Sequence, residues 1–268
     1  MTDPYRQPLD RLMKLGAEPA RRRVWPGYLP LGLTERHVPA LIQIATDPEL
    51  HAASEKDRAA WAPIHAWRAL AQLDATTAVA PLMALLERQH ENRWVFDEVP
   101  AVLGMLGPAA LPGATLLLFD EANSETLRVA AARTLVEVAH EHPDRRDEVV
   151  AVLSKQLEDF AHQSRDLNAI LVANLTELRA AEAAAVMETA FAADAVELSV
   201  IGDWEDVQVL VGLLEERTTP PTPWSPLDPD LDDEPVSGRV PDPGTHASVK
   251  ARSRRKAQKQ SRKRNRRK

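Results

Sequence analysis

The chain contains no cysteine among its 268 residues, so disulfide bonds and zinc sites built from thiolates are excluded. Aromatic residues make up only 4% of the sequence, and a β-sandwich core needs more of them. No apolar run approaches the roughly 20 residues that span a membrane. The first residues, MTDPYRQPLDRLMKLG, lack the apolar stretch of a signal peptide. We therefore expect a soluble, cytoplasmic protein.

Residue patterns that carry chemistry are also missing. The ten glycines are scattered and form no loop that could cradle a phosphate. Glu137 and His140 form a single Glu-x-x-His motif, whereas a di-iron bundle needs two such motifs and two further glutamates. We find no second one. The sequence therefore predicts no catalytic residue, no metal site and no cofactor, and we expect that the protein is not an enzyme.

Apolar residues account for 44% of the chain, and they recur at helical spacing. The segment from Trp67 to Glu87 contains two such stripes with a short polar link at Asp74 to Thr77. The stripes consist of Trp67, Leu70 and Ala71, then Val79, Leu82, Leu85 and Leu86. A helix of about ten residues is marginal in water by itself. The pattern therefore predicts two short antiparallel helices that need each other and further neighbours.

Similar helix pairs repeat along the chain. Leu70, Leu103 and Leu135 are 33 and 32 residues apart, and a repeat of 30 to 50 residues built from two helices is typical of HEAT-type solenoids. The fold class that we predict is all-α, a HEAT/armadillo-like superhelical solenoid with a disordered C-terminal tail.

Four regions follow from composition. Residues 1–30 are poorly patterned and form an N-terminal extension or cap, in which we expect Trp25 and Tyr28 to pack on the first helix pair or to contact a partner. Residues 31–216 hold the repeats. Residues 217–249, rich in proline and aspartate, form a disordered linker, and residues 250–268 a disordered basic tail.

Three boundary expectations concern particular helices. We expect a helix from about Asp97 with Pro100 in its first turn, because proline is tolerated there. We expect Asp166 to cap a helix that runs to Arg179, and a last helix to run from Trp204 to Arg217.

Four stretches of the sequence are distinctive, namely WAPIHAWRALAQL, the run at residues 97–104, RVAAARTL at 128–135 and GDWEDVQ at 202–208. Together they resemble a bacterial HEAT-like family whose members are mostly of unknown function, close to the repeats of phycobilisome lyases. Some relatives end in a Cys-rich zinc module of the SEC-C type, which this chain lacks. The resemblance implies a helical-repeat fold, but at the level of repeats it does not imply a pigment role.

A candidate interaction surface is suggested by tryptophans, one histidine and clustered acids. Its members are Trp61, His65, Trp67, Trp94, Asp97, Glu98, Asp203, Trp204, Glu205 and Asp206. Exposed tryptophan commonly anchors interfaces. The alternative is core packing for the tryptophans, a hydrogen-bonded core position for His65, and helix-start roles for the acids.

The charge of the chain is strongly divided. Residues 250–268 carry 12 Lys or Arg and no acid, whereas residues 1–216 carry 34 acids and 19 bases, a net charge of −15. The candidate residues for binding a polyanion are Arg252, Arg254, Arg255, Lys256, Lys259, Arg262, Lys263, Arg264, Arg266, Arg267 and Lys268. Any affinity for nucleic acid would have to reside in this tail. The tail could also bind an acidic protein or a membrane surface, lie on the acidic body, or serve only solubility.

Our preferred function is a non-enzymatic scaffold that binds a protein partner. The first alternative is an accessory protein of nucleic acid or the ribosome, tethered by the basic tail. A weaker alternative is a lyase- or chaperone-like protein related to the bilin lyases.

Overall fold

The computed structural model describes residues 6–17 and 25–226, and throughout these ranges the only regular secondary structure is helical. The α-helices are α1 (Arg6–Leu12), α2 (Val38–Thr46), α3 (Pro48–Ala52), α4 (Ala62–Gln72), α5 (Val79–Gln89), α6 (Arg93–Leu106), α7 (Leu111–Phe119), α8 (Glu125–Glu141), α9 (Arg146–Leu157), α10 (Arg165–Glu177), α11 (Ala184–Ala192), α12 (Leu198–Ile201) and α13 (Trp204–Val211). Short 3-10 turns lie at Leu29–Leu31, Glu35–His37, Arg58–Trp61, Thr76–Ala78, Pro108–Ala110, Pro143–Arg145, Phe160–His162 and Ala181–Ala183. The all-α prediction is confirmed for this part of the chain.

Three predicted segments fall partly or wholly outside the described residues. Of the N-terminal extension, residues 1–30, the structure describes residues 6–17 and 25–30. The linker was placed at 217–249, and of it the structure describes residues 217–226. The basic tail, residues 250–268, lies outside the described residues altogether.

The helices contact one another in two rows. In the first row α2, α4, α6, α8 and α10 each contact the next member, and in the second row α5, α7, α9 and α11 do the same. Pairs such as α5 with α6 and α7 with α8 join the rows. Among the described helices, the substantial contacts all join elements at most three positions apart in chain order.

Helices of the first row are covered on almost every side. All ten residues from Ala62 to Ala71 of α4 are buried, and α8 buries twelve of its 17 residues. The N-terminal extension contributes to this cover, because α1 contacts α4 and Tyr28 is fully buried against it. The prediction that Tyr28 packs on the first helices is confirmed.

The tightest helix crossing brings α6 onto α8 at Gly104. A Cβ atom added to this glycine would lie 2.6 Å from the Cβ of Glu137 and 2.7 Å from its carbonyl carbon. Real Cβ atoms do not approach other carbons so closely, so the crossing requires a residue without a side chain.

We expected Pro100 in the first turn of its helix, but it lies in the middle of α6. The helix begins earlier because Asn92 caps it, its side chain accepting hydrogen bonds from the amides of Trp94 and Val95. Proline has no N–H, so the carbonyl of residue 96 loses its helical partner. Arg133 of α8 replaces that partner by donating from Nη1 to the carbonyl oxygen of Phe96 at 3.3 Å, with its guanidinium 5.0 Å from the Phe96 ring.

Two further boundary expectations are wrong. Ser164, not Asp166, caps α10, because its hydroxyl accepts from the amide of Leu167. The last helix, α13, ends at Val211 rather than Arg217, because Gly212 adopts a left-handed conformation that terminates it.

A matched pair of glycine substitutions tests the crossing. Gly104→Ala should lower the free energy of unfolding by about 1–3 kcal/mol, because overpacking at a helix contact forces the two backbones apart. Gly113→Ala in α7 should be neutral or stabilise by up to about 1 kcal/mol, since alanine favours helix and the added methyl meets only the flexible Met83 side chain. Urea unfolding followed by circular dichroism measures both. Equal effects of the two substitutions would contradict a close α6–α8 crossing.

Candidate functional site

Three of the predicted tryptophans line one pocket at the edge where α4 and α6 begin. Trp67 is fully buried at its inner wall, whereas Trp61 and Trp94 are half-buried. The rings of Trp61 and Trp94 meet edge to face, with centroids 5.1 Å apart, a favoured aromatic geometry. The indole N–H of Trp61 donates to the carbonyl of Glu55 at 2.9 Å, which holds this ring in place. We name this feature the aromatic pocket.

His51, which we did not predict as a site residue, forms the polar wall of the aromatic pocket. Its ring stacks on Trp67 with centroids 6.1 Å apart, and its Nε2 donates to the carbonyl of Ala45 at 2.9 Å. Burial lowers the pKa of His51 below its usual value, against the opposing effects of the Ala45 carbonyl and Asp47. The ring is therefore neutral at pH 7, with Nδ1 as a hydrogen-bond acceptor.

The size of the aromatic pocket limits what it can hold. Its cavity volume is about 70 Å³, whereas sites for small molecules usually measure about 300–1,000 Å³. The pocket therefore has room for one amino-acid side chain.

His65 lies in the core and away from this pocket, with 1% of its surface exposed. Its Nε2 lies 2.8 Å from the carbonyl oxygen of Gly16 and its Nδ1 lies 2.8 Å from the hydroxyl of Tyr28. Because a carbonyl can only accept, Nε2 carries the proton and the hydroxyl of Tyr28 donates to Nδ1. The structure therefore assigns His65 to fastening the N-terminal extension onto α4, in agreement with the alternative of a hydrogen-bonded core histidine.

Glu98 is buried within α6, where it pairs with Arg68 of α4. Its carboxylate accepts from Nε of Arg68 at 2.8 Å and from the indole N–H of Trp67 at 3.1 Å. Burial acts to lower the pKa of Arg68, but the hydrogen bonds and charge of Glu98, together with a smaller effect of Tyr28, outweigh it and raise that pKa. The interpretation of Glu98 as a helix-start acid is therefore wrong, because α6 begins five residues before it. Asp97 is instead at the surface, paired with Arg93 at 3.4 Å.

The acids of α13 form a separate cluster around Arg217. Its guanidinium binds both oxygens of Asp203, at 2.7 and 2.9 Å, and Nη1 lies 2.5 Å from Oδ1 of Asp206. Asp203 and Asp206 also form the predicted helix-start arrangement, a reciprocal capping box. Asp206 is fully buried and accepts from the hydroxyl of Ser225. These contacts hold residues 217–226, which we call the strap, against α13.

Glu205 receives four donors from the strap, namely the amide and hydroxyl groups of Thr218 and Thr219. The hydroxyl of Thr218 and then that of Thr219 are the main causes that lower the pKa of Glu205 to about 2. Trp204 packs on Phe191 with ring centroids 5.7 Å apart. The ten candidate residues therefore do not form one surface. They belong to the aromatic pocket, to the buried core, to the exposed position of Asp97 and to the cluster that α13 forms with the strap.

Within the two described ranges, no group of three or more histidines and carboxylates is placed to hold a metal ion, and no helix has both the length and the apolar character to cross a membrane.

Comparison with protein families, curated proteins and solved structures finds no match for this chain.

A pH titration tests the strap contacts. The amide resonances of Thr218 and Thr219 should shift with a midpoint near pH 2, because the charged form of Glu205 is stabilised by their hydrogen bonds. A lowered pKa means that this stabilisation is complete above the ordinary glutamate pKa of about 4.5 and is lost as the pH falls toward 2. Glu205→Gln should abolish the shift. A midpoint near 4.5 in the unaltered protein would contradict the described contacts.

Proposed function

We propose that this chain is a non-enzymatic scaffold, a HEAT/armadillo-like solenoid that binds a protein partner through the aromatic pocket. Contacts limited to near neighbours in chain order support the solenoid, because repeat folds are stabilised by neighbouring repeats. The observation that carries the binding role is the pair of half-buried tryptophans, Trp61 and Trp94, at the mouth of a cavity.

The chemistry of the aromatic pocket favours a protein as the partner. Tryptophan supplies a large rigid contact area and is enriched among residues that dominate binding energy. A cavity of about 70 Å³ suits one inserted side chain, and the acceptor Nδ1 of neutral His51 offers a hydrogen bond to that side chain. A single anchoring residue with a surrounding rim is how many protein interfaces are organised.

The same volume argues against the lyase-like alternative at this site. An open-chain tetrapyrrole is larger than the drug-sized ligands that occupy cavities of about 300–1,000 Å³. The nucleic-acid alternative depends on residues 250–268, which lie outside the described residues.

Removing both indoles tests the proposal. Trp61→Ala with Trp94→Ala should weaken partner binding at least about 30-fold, as truncation of an interface anchor costs about 2 kcal/mol or more. The measurement is a quantitative crosslinking pull-down from native lysate with the full chain, followed by mass spectrometry of the retained proteins.

Trp224→Ala is the matched control, because Trp224 is the most exposed described tryptophan and belongs to the strap. Proteins that bind the aromatic pocket should be retained by this variant and by the unaltered chain. A thermal melt confirms that the double variant is folded. The proposal would be refuted if the unaltered chain, the double variant and the Trp224→Ala variant all retained the same proteins. It would also be refuted if the unaltered chain retained no protein.

A further inference from the structure

A second cavity, about 350 Å³ in volume, lies where the C-terminal ends of α7 and α9 meet. We name it the acidic groove, and its lining residues are Phe119, Glu121, Lys155, Gln156, Glu158 and Asp159. It shares no residue with the aromatic pocket. Three carboxylates face one lysine, so the groove is negatively charged.

Gln156 gives the groove an unused hydrogen-bond acceptor. The residue is only 4% exposed, and its Oε1 accepts no hydrogen bond within the described part of the chain. Leaving a buried acceptor without a partner costs about 1–3 kcal/mol, so such an atom on a residue that lines the groove indicates a missing donor.

The orientation of this amide is fixed by its neighbours. Arg128 can only donate, so the atom of Gln163 that lies 3.1 Å from its Nη2 must be the oxygen. That same oxygen lies 2.9 Å from the other amide atom of Gln156, which must then be the nitrogen. The free atom of Gln156 is therefore the oxygen, and the absent group is a hydrogen-bond donor.

The charged residues of the acidic groove are held only by weak partners. Lys155 pairs with Glu158 at 2.6 Å and His162 pairs with Asp159 at 2.6 Å, and all four are at or near the surface. Exposed pairs of this kind contribute about 0–1 kcal/mol each, so a better donor can replace them. Elsewhere, acids such as Glu98 and Asp203 already bind arginine.

The apolar side of the groove also lacks a cover. Phe119 is 39% exposed and Leu116, one turn before it on α7, is 73% exposed. A planar cation that stacks on an aromatic ring and donates several hydrogen bonds fits this combination of ring, carboxylates and amide oxygen. Arginine meets these requirements, whereas lysine offers no planar face.

We propose that the acidic groove binds an arginine side chain of this chain's own basic tail, residues 250–268. The 12 cations of that segment match a body with a net charge of −15. The 23 residues between Pro226 and Lys250 can span roughly 75–80 Å when extended, which exceeds the roughly 40 Å width expected for a domain of about 200 residues. Linkage in one chain raises the effective concentration of the tail to about the millimolar range.

Zero-length carbodiimide crosslinking of the full chain tests this proposal, because it joins lysine amines to carboxylates in contact with them. Tail lysines such as Lys259 and Lys263 should couple to Glu121, Glu158 and Asp159 about tenfold more than to Glu87 and Glu188, in accord with a charged hydrogen bond. Glu87 and Glu188 are exposed acids of the same helix row, on α5 and α11, and serve as matched controls. Equal yields at all five acids would overturn the proposal.

A mixture of the chain at natural abundance with the same chain labelled with ¹⁵N identifies the source of the tail. Crosslinks should join residues of the same isotopic composition at low protein concentration. Mixed crosslinks would show that a second copy supplies the tail and would overturn the same-chain assignment.

Replacing the seven tail arginines by lysine keeps the charge and tests the arginine preference. The side-chain amide resonances of Gln156 should differ between this variant and the unaltered chain at physiological salt, because the guanidinium no longer donates to Oε1. Unchanged resonances would overturn the assigned donor. This variant leaves Trp61 and Trp94 unaltered, so a failure of the tail proposal is distinguishable from a failure of partner binding at the aromatic pocket.

Discussion

The structure depends on burying short helices on nearly all sides. Helices of about ten residues do not persist alone in water, and α4, α6, α8 and α10 are stabilised by packing against the next member of their row and against the second row. Dense burial makes an unpaired charge or an unpaired backbone carbonyl costly. Glu98 is therefore bound by Arg68 and Trp67, and the carbonyl freed by Pro100 is bound by Arg133.

This constraint separates structural polar residues from those available for binding. His65 and Asp206 are polar and buried, and their contacts fasten the N-terminal extension and the strap at opposite ends of the helix rows. The aromatic pocket and the acidic groove lie instead at the ends of helices, where the rows stop covering side chains. Each site combines an aromatic surface with a hydrogen-bond acceptor that receives no donor from a described residue. The acceptor belongs to His51 in the aromatic pocket and to Gln156 in the acidic groove.

Helical periodicity was sufficient to predict the larger helices, because a stripe at spacings of three and four residues marks a buried face. The start of α8 carries a local signal of the same kind, because Ser124 caps the helix directly before its first residue. The short helices α1, α3 and α12 were missed because four to seven residues show no period. Pro100 was misplaced because its compensating partner, Arg133, lies 33 residues away in the sequence.

The candidate site was less predictable than the fold. Sequence spacing identified Trp61, Trp67 and Trp94, but not that they share a pocket with His51, since that depends on how α3 packs on α4. The acidic groove gave no sequence signal at all. Its unused acceptor is defined by three residues, Arg128, Gln156 and Gln163, that only the packing of α8 with α9 brings together.

The central claim is that each helix is stabilised mainly by the helices next to it. The most direct test is to measure amide hydrogen exchange in every helix after a destabilising substitution at one end of the rows. Leu41 of α2 is fully buried, and Leu41→Ala should cost about 2–5 kcal/mol locally. A row of neighbour contacts predicts that amides of α2, α4 and α5 lose protection while those of α9, α10 and α11 keep it. An equal loss of protection in all helices would show a single shared core and contradict the account.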